Sequence, residues 1–316
     1  MSEEIQTTGT LDSPPPHYQP PVLYDKMTQQ RDIMVPMRDG VHLCVDIYRP
    51  DAPGKFPALL SIARHNKDLQ TPEVAEAAPS QPAWSTLWMG SIEAGDTRYL
   101  VSRGYAHVIG NDRGAGKSED GGSPEWDHYD LIEWLAQQPW CDGNIGMIGI
   151  SAFGAAQLQA AIQQPPHLKA IFPYDSGGAY GGLEGIRDFF PGGVLHSFLY
   201  LLDQLSVAHG TKGRPGTLSP EKDRLWQAAM NNPDYRMYPH IYNVLTMKGQ
   251  HMPPYFNMLL NPFEGEDATK KSEADFAKIK IPTYTGAGWY AYTYKLHLQG
   301  SQHWFYNIKA PKKLMF

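Results

Sequence analysis

Cysteine is scarce: the 316 residues hold two, Cys44 and Cys141. Cys44 falls in an expected strand and Cys141 just before one. Two such thiols make no disulfide framework, and neither has metal-ligand spacing. Charge is also thin. Only 19% of residues are charged, and the net charge of -6 is spread without long like-charge blocks. That argues against a nucleic-acid partner and against an anionic membrane partner. No apolar run reaches transmembrane length. The start, Met1-Ser-Glu-Glu-Ile5, has neither a basic nor an apolar segment. A secretory signal is therefore not expected, and the expected location is cytoplasmic. No metal cluster or cofactor fingerprint appears, so neither a metal nor a cofactor is expected.

What is present is a globular composition, 41% hydrophobic and 12% aromatic, long enough for one large domain or two ordinary ones. The stretch that organises it runs from Asp142 to Ala161. Asp142-Gly143 is a turn signal. Ile145 to Ile150 has the look of a buried strand. Ala155 to Ala161 is rich in helix formers. Between them lies Gly149-Ile-Ser151-Ala-Phe-Gly154, where small residues flank a serine at a strand-to-helix turn. A nucleophile elbow has this setting, with the amide of Ala152 and a helix N-terminus beside the hydroxyl. The spacing is Gly-x-Ser-x-x-Gly, not the commoner Gly-x-Ser-x-Gly. Glycine and serine are also plain turn residues, so the stretch alone does not decide.

Around it, the Pro-rich residues 1–21 read as a disordered lead. Arg31–Met37 and Val41–Tyr48, joined by Arg38-Asp-Gly40, read as a β-hairpin. Further strands are expected at Pro57–Ala63, Tyr105–Gly110, Leu168–Pro173, Ile281–Gly286 and from Lys312. Helices are expected at Thr97–Arg103, Glu125–Gln137, Leu195–Val207, Glu221–Asn231 and Tyr292–Tyr306. Residues 69–96 read as irregular loop anchored by Trp84 and Trp88. Gly116-Lys-Ser118 ends like a Walker A motif, but Asn111 stands where glycine is needed and no helix follows Ser118. The pattern predicts an α/β fold, a mostly parallel doubly wound sheet begun by an antiparallel hairpin, with a helical insertion. The core is expected in 22–175 and 281–316, the cap in 176–280. The site is expected where the loops after Ala63, Gly110, Ile150, Pro173 and Gly286 converge.

Several stretches together resemble one family. They are Met37-Arg-Asp-Gly-Val-His-Leu43 with Asp46-Ile-Tyr-Arg-Pro50, Tyr105 to Glu119, Tyr129-Asp-Leu-Ile-Glu-Trp-Leu135, Gln138 to Ser151, and Gly286-Ala-Gly-Trp-Tyr290. Across residues 30–316 the chain resembles the cocaine esterase / X-Pro dipeptidyl-peptidase (CocE/NonD) group of α/β-hydrolases. The resemblance implies a helical cap, a C-terminal jelly-roll domain and a Ser-Asp-His triad. It implies cleavage of an ester, amide or peptide bond in a small-molecule substrate through an acyl-enzyme. Ser151 matches the nucleophile and the Ala152 N–H the first oxyanion donor.

Three positions depart from that pattern. His65, in Arg64-His-Asn-Lys67, stands where the family places a tyrosine as second oxyanion donor. An imidazole N–H can donate there, or His65 is an ordinary loop residue. Ala291 stands at the usual triad acid. Asp175, at the end of the preceding strand, is a candidate substitute, or else a turn aspartate. The resemblance places the base histidine after a last strand that begins at Lys312 and is cut short at Phe316. Neither that histidine nor the jelly-roll is then expected in this chain. His128, His196 and His297 read as helix or loop histidines. A second reading stays open: a degenerate hydrolase fold that binds a small ligand or a partner without catalysis. Trp84, Trp88, Trp289 and Tyr290 fit an apolar acyl pocket and core packing equally. Substrate identity and oligomeric state are left open.

Overall fold

The computed structural model describes residues 20–77, 92–176, 218–238, 242, 245–246, 273–288 and 295–315. Trp84, Trp88, Leu195–Val207, His196 and Trp289 to Ala291 lie outside them. Compact packing divides the chain into two units. The first comprises Met1–Gly177, Glu273–Ala291 and His297–Phe316; the second comprises Gly178–Ser272 and Tyr292–Leu296.

The first unit is built on eight strands: β1 (Met27–Pro36), β2 (His42–Pro50), β3 (Phe56–Ala63), β4 (Ala106–Asn111), β5 (Cys141–Ile150), β6 (Leu168–Tyr174), β7 (Thr283–Gly286) and β8 (Lys312–Met315). Their order is β1-β2-β4-β3-β5-β6-β7-β8. The hairpin β1–β2 and the pair β2–β4 are antiparallel, and every other pair is parallel. Every residue of β4 is buried, as expected of a strand covered on both faces. The described helices before β6 are α1 (Pro72–Ala77), α2 (Thr97–Ser102), α3 (Asp127–Ala136) and α4 (Ala152–Gln163). Leu131, Ile132 and Leu135 of α3 are buried in the same core as Ile145 and Met147 of β5. Half of the buried residues of α4 are alanine: Ala155, Ala156, Ala160 and Ala161. Its buried Gln157 spans two strands, donating to Gly149 O and accepting from Phe172 N–H. A crossover sheet of this order with helices packed on it is the α/β-hydrolase architecture.

Three local expectations change. β5 begins at Cys141, so the cysteine lies inside the strand and Asp142-Gly143 is no turn. Gly143 takes φ 86, and the β3–β5 register shifts between Phe56 and Ala58, so the strand absorbs an irregularity there. β1 starts earlier than expected and carries a bulge near Asp32, whose φ is 56. Residues 69–96 are not wholly irregular: α1 forms within them, after a 3-10 turn at Lys67–Leu69. In the second unit, the described helix Pro220–Asn231 is capped by Ser219, whose hydroxyl accepts from Lys222 N–H.

The Walker-like loop is occupied by structure. Ser118 Oγ donates to Asn111 O and accepts from Cys44 N–H, and Lys117 pairs with Asp32. Nearby, buried Arg113 donates to both oxygens of Asp39, both of Asp127, and Gly121 O. The guanidinium holds the Asp39 carboxyl down at about 2. The folded value is depressed, so its stabilising effect is present above the ordinary carboxylate range and lost as pH falls from about 4 towards 2. Arg113→Met is therefore expected to flatten the acid side of the stability–pH curve below pH 4, read by urea unfolding at stepped pH. An equally steep acid fall in the variant would contradict this.

Candidate active site

The β5–α4 turn positions Ser151. Its backbone sits at φ 57, ψ -116, a region that residues with a Cβ rarely adopt and that costs about 1–3 kcal/mol. The surroundings over-determine it. Ile150 N–H donates to Glu93 O, Ser151 N–H donates to Tyr174 O, and Ala155 N–H donates to Ser151 O. Two glycines make room. A Cβ on Gly149 would lie 2.4 Å from Phe153 Cβ, and one on Gly154 would lie 2.6 Å from Ser176 Cβ. The Gly-x-Ser-x-x-Gly spacing thus follows from contacts to two different neighbours. Ser151 is half-buried, and Ala152 is the first residue of α4. First-turn N–H groups have no intrahelical acceptor and face the positive end of the helix dipole.

Asp175 follows β6, directly beside this turn. Ile150 is level with Tyr174, and Tyr174 with Gly286, so the three strand ends are in step. Asp175 is left-handed at φ 41, its N–H donates to Gly286 O, and its Oδ1 accepts from Gly288 N–H. Burial raises its carboxyl above the usual range, opposed by the Gly288 N–H. The aspartate is thus held at the strand end.

His65 follows β3, the strand paired with β5. Its ring stacks on Phe153, two residues past Ser151, with centroids 5.9 Å apart. Its Nδ1 is 3.6 Å from Glu93 Oε2. Burial lowers the imidazole's pKa, partly offset by Asp112. The backbone under it is tied by Asn111, whose Nδ2 donates to His65 O and whose Oδ1 accepts from Lys67 N–H.

The other histidines have different settings. His128 lies on α3, with Nε2 2.9 Å from Asp112. His297 is buried in the helix Lys295–Asn307, and burial pushes it down to about 3. It lies one turn before Ser301, which donates to Gly286 O.

Sequence reasoning missed two residues here. Glu93 supplies the carbonyl under Ile150, and burial, then the charge of Asp175, pushes its carboxyl up to about 7. Nothing in Ser91-Ile-Glu-Ala94 marks it. Lys67 is fully buried, and its Nζ donates to Asp32, Asp46 and Asp68 at 2.6, 2.8 and 2.9 Å. It anchors the loop that carries His65. Among the described residues, no cluster of His, Cys, Asp or Glu could hold a metal ion, and no helix is long and apolar enough to cross a membrane.

A strained serine between a parallel strand and a helix, with an aspartate on the next strand end, is the arrangement of an α/β-hydrolase. The profile of the X-Pro dipeptidyl-peptidase (S15 family) matches residues 39–316, and the chain belongs to that family. Cocaine esterase from Rhodococcus sp. (strain MB1 Bresler) is 42% identical over 147 residues, 45% of this chain and 22% of that protein. Xaa-Pro dipeptidyl-peptidase from Lactobacillus delbrueckii subsp. lactis is 32% identical over 128 residues, 33% of this chain and 16% of that protein. The chain thus aligns with less than a quarter of the length of these two relatives. A CocE/NonD family hydrolase from Staphylococcus aureus superposes with a TM-score of 0.59 at 24% identity. That match covers 92% of this chain and 46% of the other. It supports the fold.

Proposed function

We propose that Ser151 is the nucleophile of a serine hydrolase that cleaves an acyl ester or an amide bond through an acyl-enzyme. The observation that carries this reading is the backbone of Ser151, held at φ 57 between β5 and α4. Backbone strain of this kind clusters at active sites. In the proposed reaction, Ser151 Oγ attacks the substrate carbonyl carbon and loses its proton to a general base. The Ala152 N–H and the His65 imidazole receive the oxyanion. Asp175, buried and fixed by Gly288, orients the base and offsets the charge it gains. The family resemblance places the base on a histidine after β8. The protonated base gives its proton to the leaving alcohol or amine as the tetrahedral intermediate collapses, and water deprotonated by the same base then attacks the acyl-enzyme and releases the acid.

The test is turnover of an activated acyl ester by the protein as encoded and by Ser151→Ala. Loss of at least about a thousandfold is expected. Turnover left unchanged by Ser151→Ala would overturn the assignment, and no turnover above background in the protein as encoded would favour a binding module on a hydrolase fold.

A further inference from the structure

Glu93 is a carboxyl group that the proposed mechanism does not use, yet it lies inside the site. Its backbone is bound on both sides. Its carbonyl accepts from Ile150, one residue before the nucleophile, and its N–H donates to the Gln70 side chain. Its side chain faces His65, Nδ1 to Oε2, at 3.6 Å. That Oε2 is buried with no hydrogen-bond partner. The His65 ring is half-exposed, and its stack on Phe153 favours this orientation. The charged neighbours are Asp175, which acts on Glu93, and Asp112, which acts on His65 and is bound to His128.

The two rings of possibility at His65 are set by what stands at Nδ1. If Glu93 is ionised and His65 neutral, the ring's one proton is drawn to Nδ1. Nε2 then carries a lone pair and cannot donate to an oxyanion. With one more proton in the pair, Nε2 carries a hydrogen either way. Either Glu93 is a neutral acid donating to Nδ1, or His65 is an imidazolium beside a carboxylate. The outcome does not depend on which group holds the proton. The contact is slightly long for a hydrogen bond, and contacts of this kind tighten in the complex.

We propose that Glu93 is a positioning residue of this site: the Glu93–His65 pair holds one shared proton and thereby presents His65 Nε2–H to the oxyanion formed at Ser151. The inference rests on the Ser151 reading. The proton stays within the pair during acylation, so the base that takes the Ser151 proton is a separate group.

Burial, and then Asp175, push the Glu93 carboxyl up to about 7, so the pair loses its proton as pH rises through neutrality. Above that point the second oxyanion donor is gone. The experiment is the second-order rate of phosphonylation by a fluorophosphonate probe between pH 5 and 9, on the protein as encoded. The phosphoryl oxygen develops the same negative charge. The rate is expected to be roughly tenfold or more lower at pH 9 than at pH 7, within the range for loss of one donor. In Glu93→Gln that alkaline fall disappears, because an amide can donate to Nδ1 at every pH. His65→Tyr removes the fall too and keeps the rate, since a phenol donates up to about pH 10. A wild-type rate without an alkaline fall overturns the pair, and so does a fall that persists in Glu93→Gln. Labelling that is absent, or unchanged in Ser151→Ala, overturns the nucleophile assignment itself and is distinct from both.

Discussion

Lys67→Met is expected to lower stability by about 3–5 kcal/mol, the range for stripping one partner from a buried ion pair. Lys67 Nζ and the Asp46 side chain are both fully inaccessible, 2.8 Å apart. Asp32 and Asp68 complete the cluster from more exposed positions. Burial opposes the charge on Lys67, but the three carboxylates hold its ammonium well above the usual range. Methionine fills the stem and leaves the buried Asp46 carboxylate with Arg31 as its cation, beside the Asp32 N–H and the Tyr48 hydroxyl. Adding Asp46→Asn, which removes the stranded charge, is expected to restore part of the loss. Urea unfolding of the two variants checks both statements. A Lys67→Met stability within about 1 kcal/mol of wild type would show that the cluster is replaceable by packing. The variant also frees the loop carrying His65, so phosphonylation of Ser151 should fall even where the protein stays folded.

Gly149→Ala is expected to cost about 2–4 kcal/mol and to displace Ser151. Gly149 has φ 138, and the added Cβ would lie 2.4 Å from Phe153 Cβ and 3.2 Å from Glu93 O. Neither neighbour can give easily. Phe153 is fully buried and stacks on His65, and the Glu93 carbonyl binds Ile150. Gly143→Ala is the matched control. It has φ 86, but its nearest neighbour is His167 Cδ2 at 3.8 Å. Only backbone strain applies there, about 1 kcal/mol. Equal losses in the two variants would mean that crowding at the elbow is unimportant.

Much of this architecture was legible in the chain. Short apolar runs marked β3, β4 and β6 to within a residue or two, because a buried strand leaves few options at each position. The Asp39-Gly40 turn marked the hairpin. Ser151 was legible as a strand-to-helix serine, but the meaning of its glycine spacing was not. Gly154 is required by Ser176 and the Tyr174 carbonyl, which only the pairing of β5 with β6 brings near. Asp142-Gly143 misled for the converse reason. A local turn signal was overridden by a strand that absorbs a two-residue register shift against β3. Glu93 and Lys67 were illegible because their roles lie in partners distant in sequence. Lys67 meets carboxylates 21 and 35 residues away, and Glu93 meets the chain just before Ser151. Pattern reading sees neighbours along the chain; charge clusters are assembled across it.

The most direct measurement is to treat the protein as encoded with a fluorophosphonate and map the modified residue by peptide mass spectrometry. The account predicts a single adduct on Ser151, formed by the folded protein and lost on unfolding in urea. An adduct on another serine, or equal labelling of folded and unfolded chains, would contradict it.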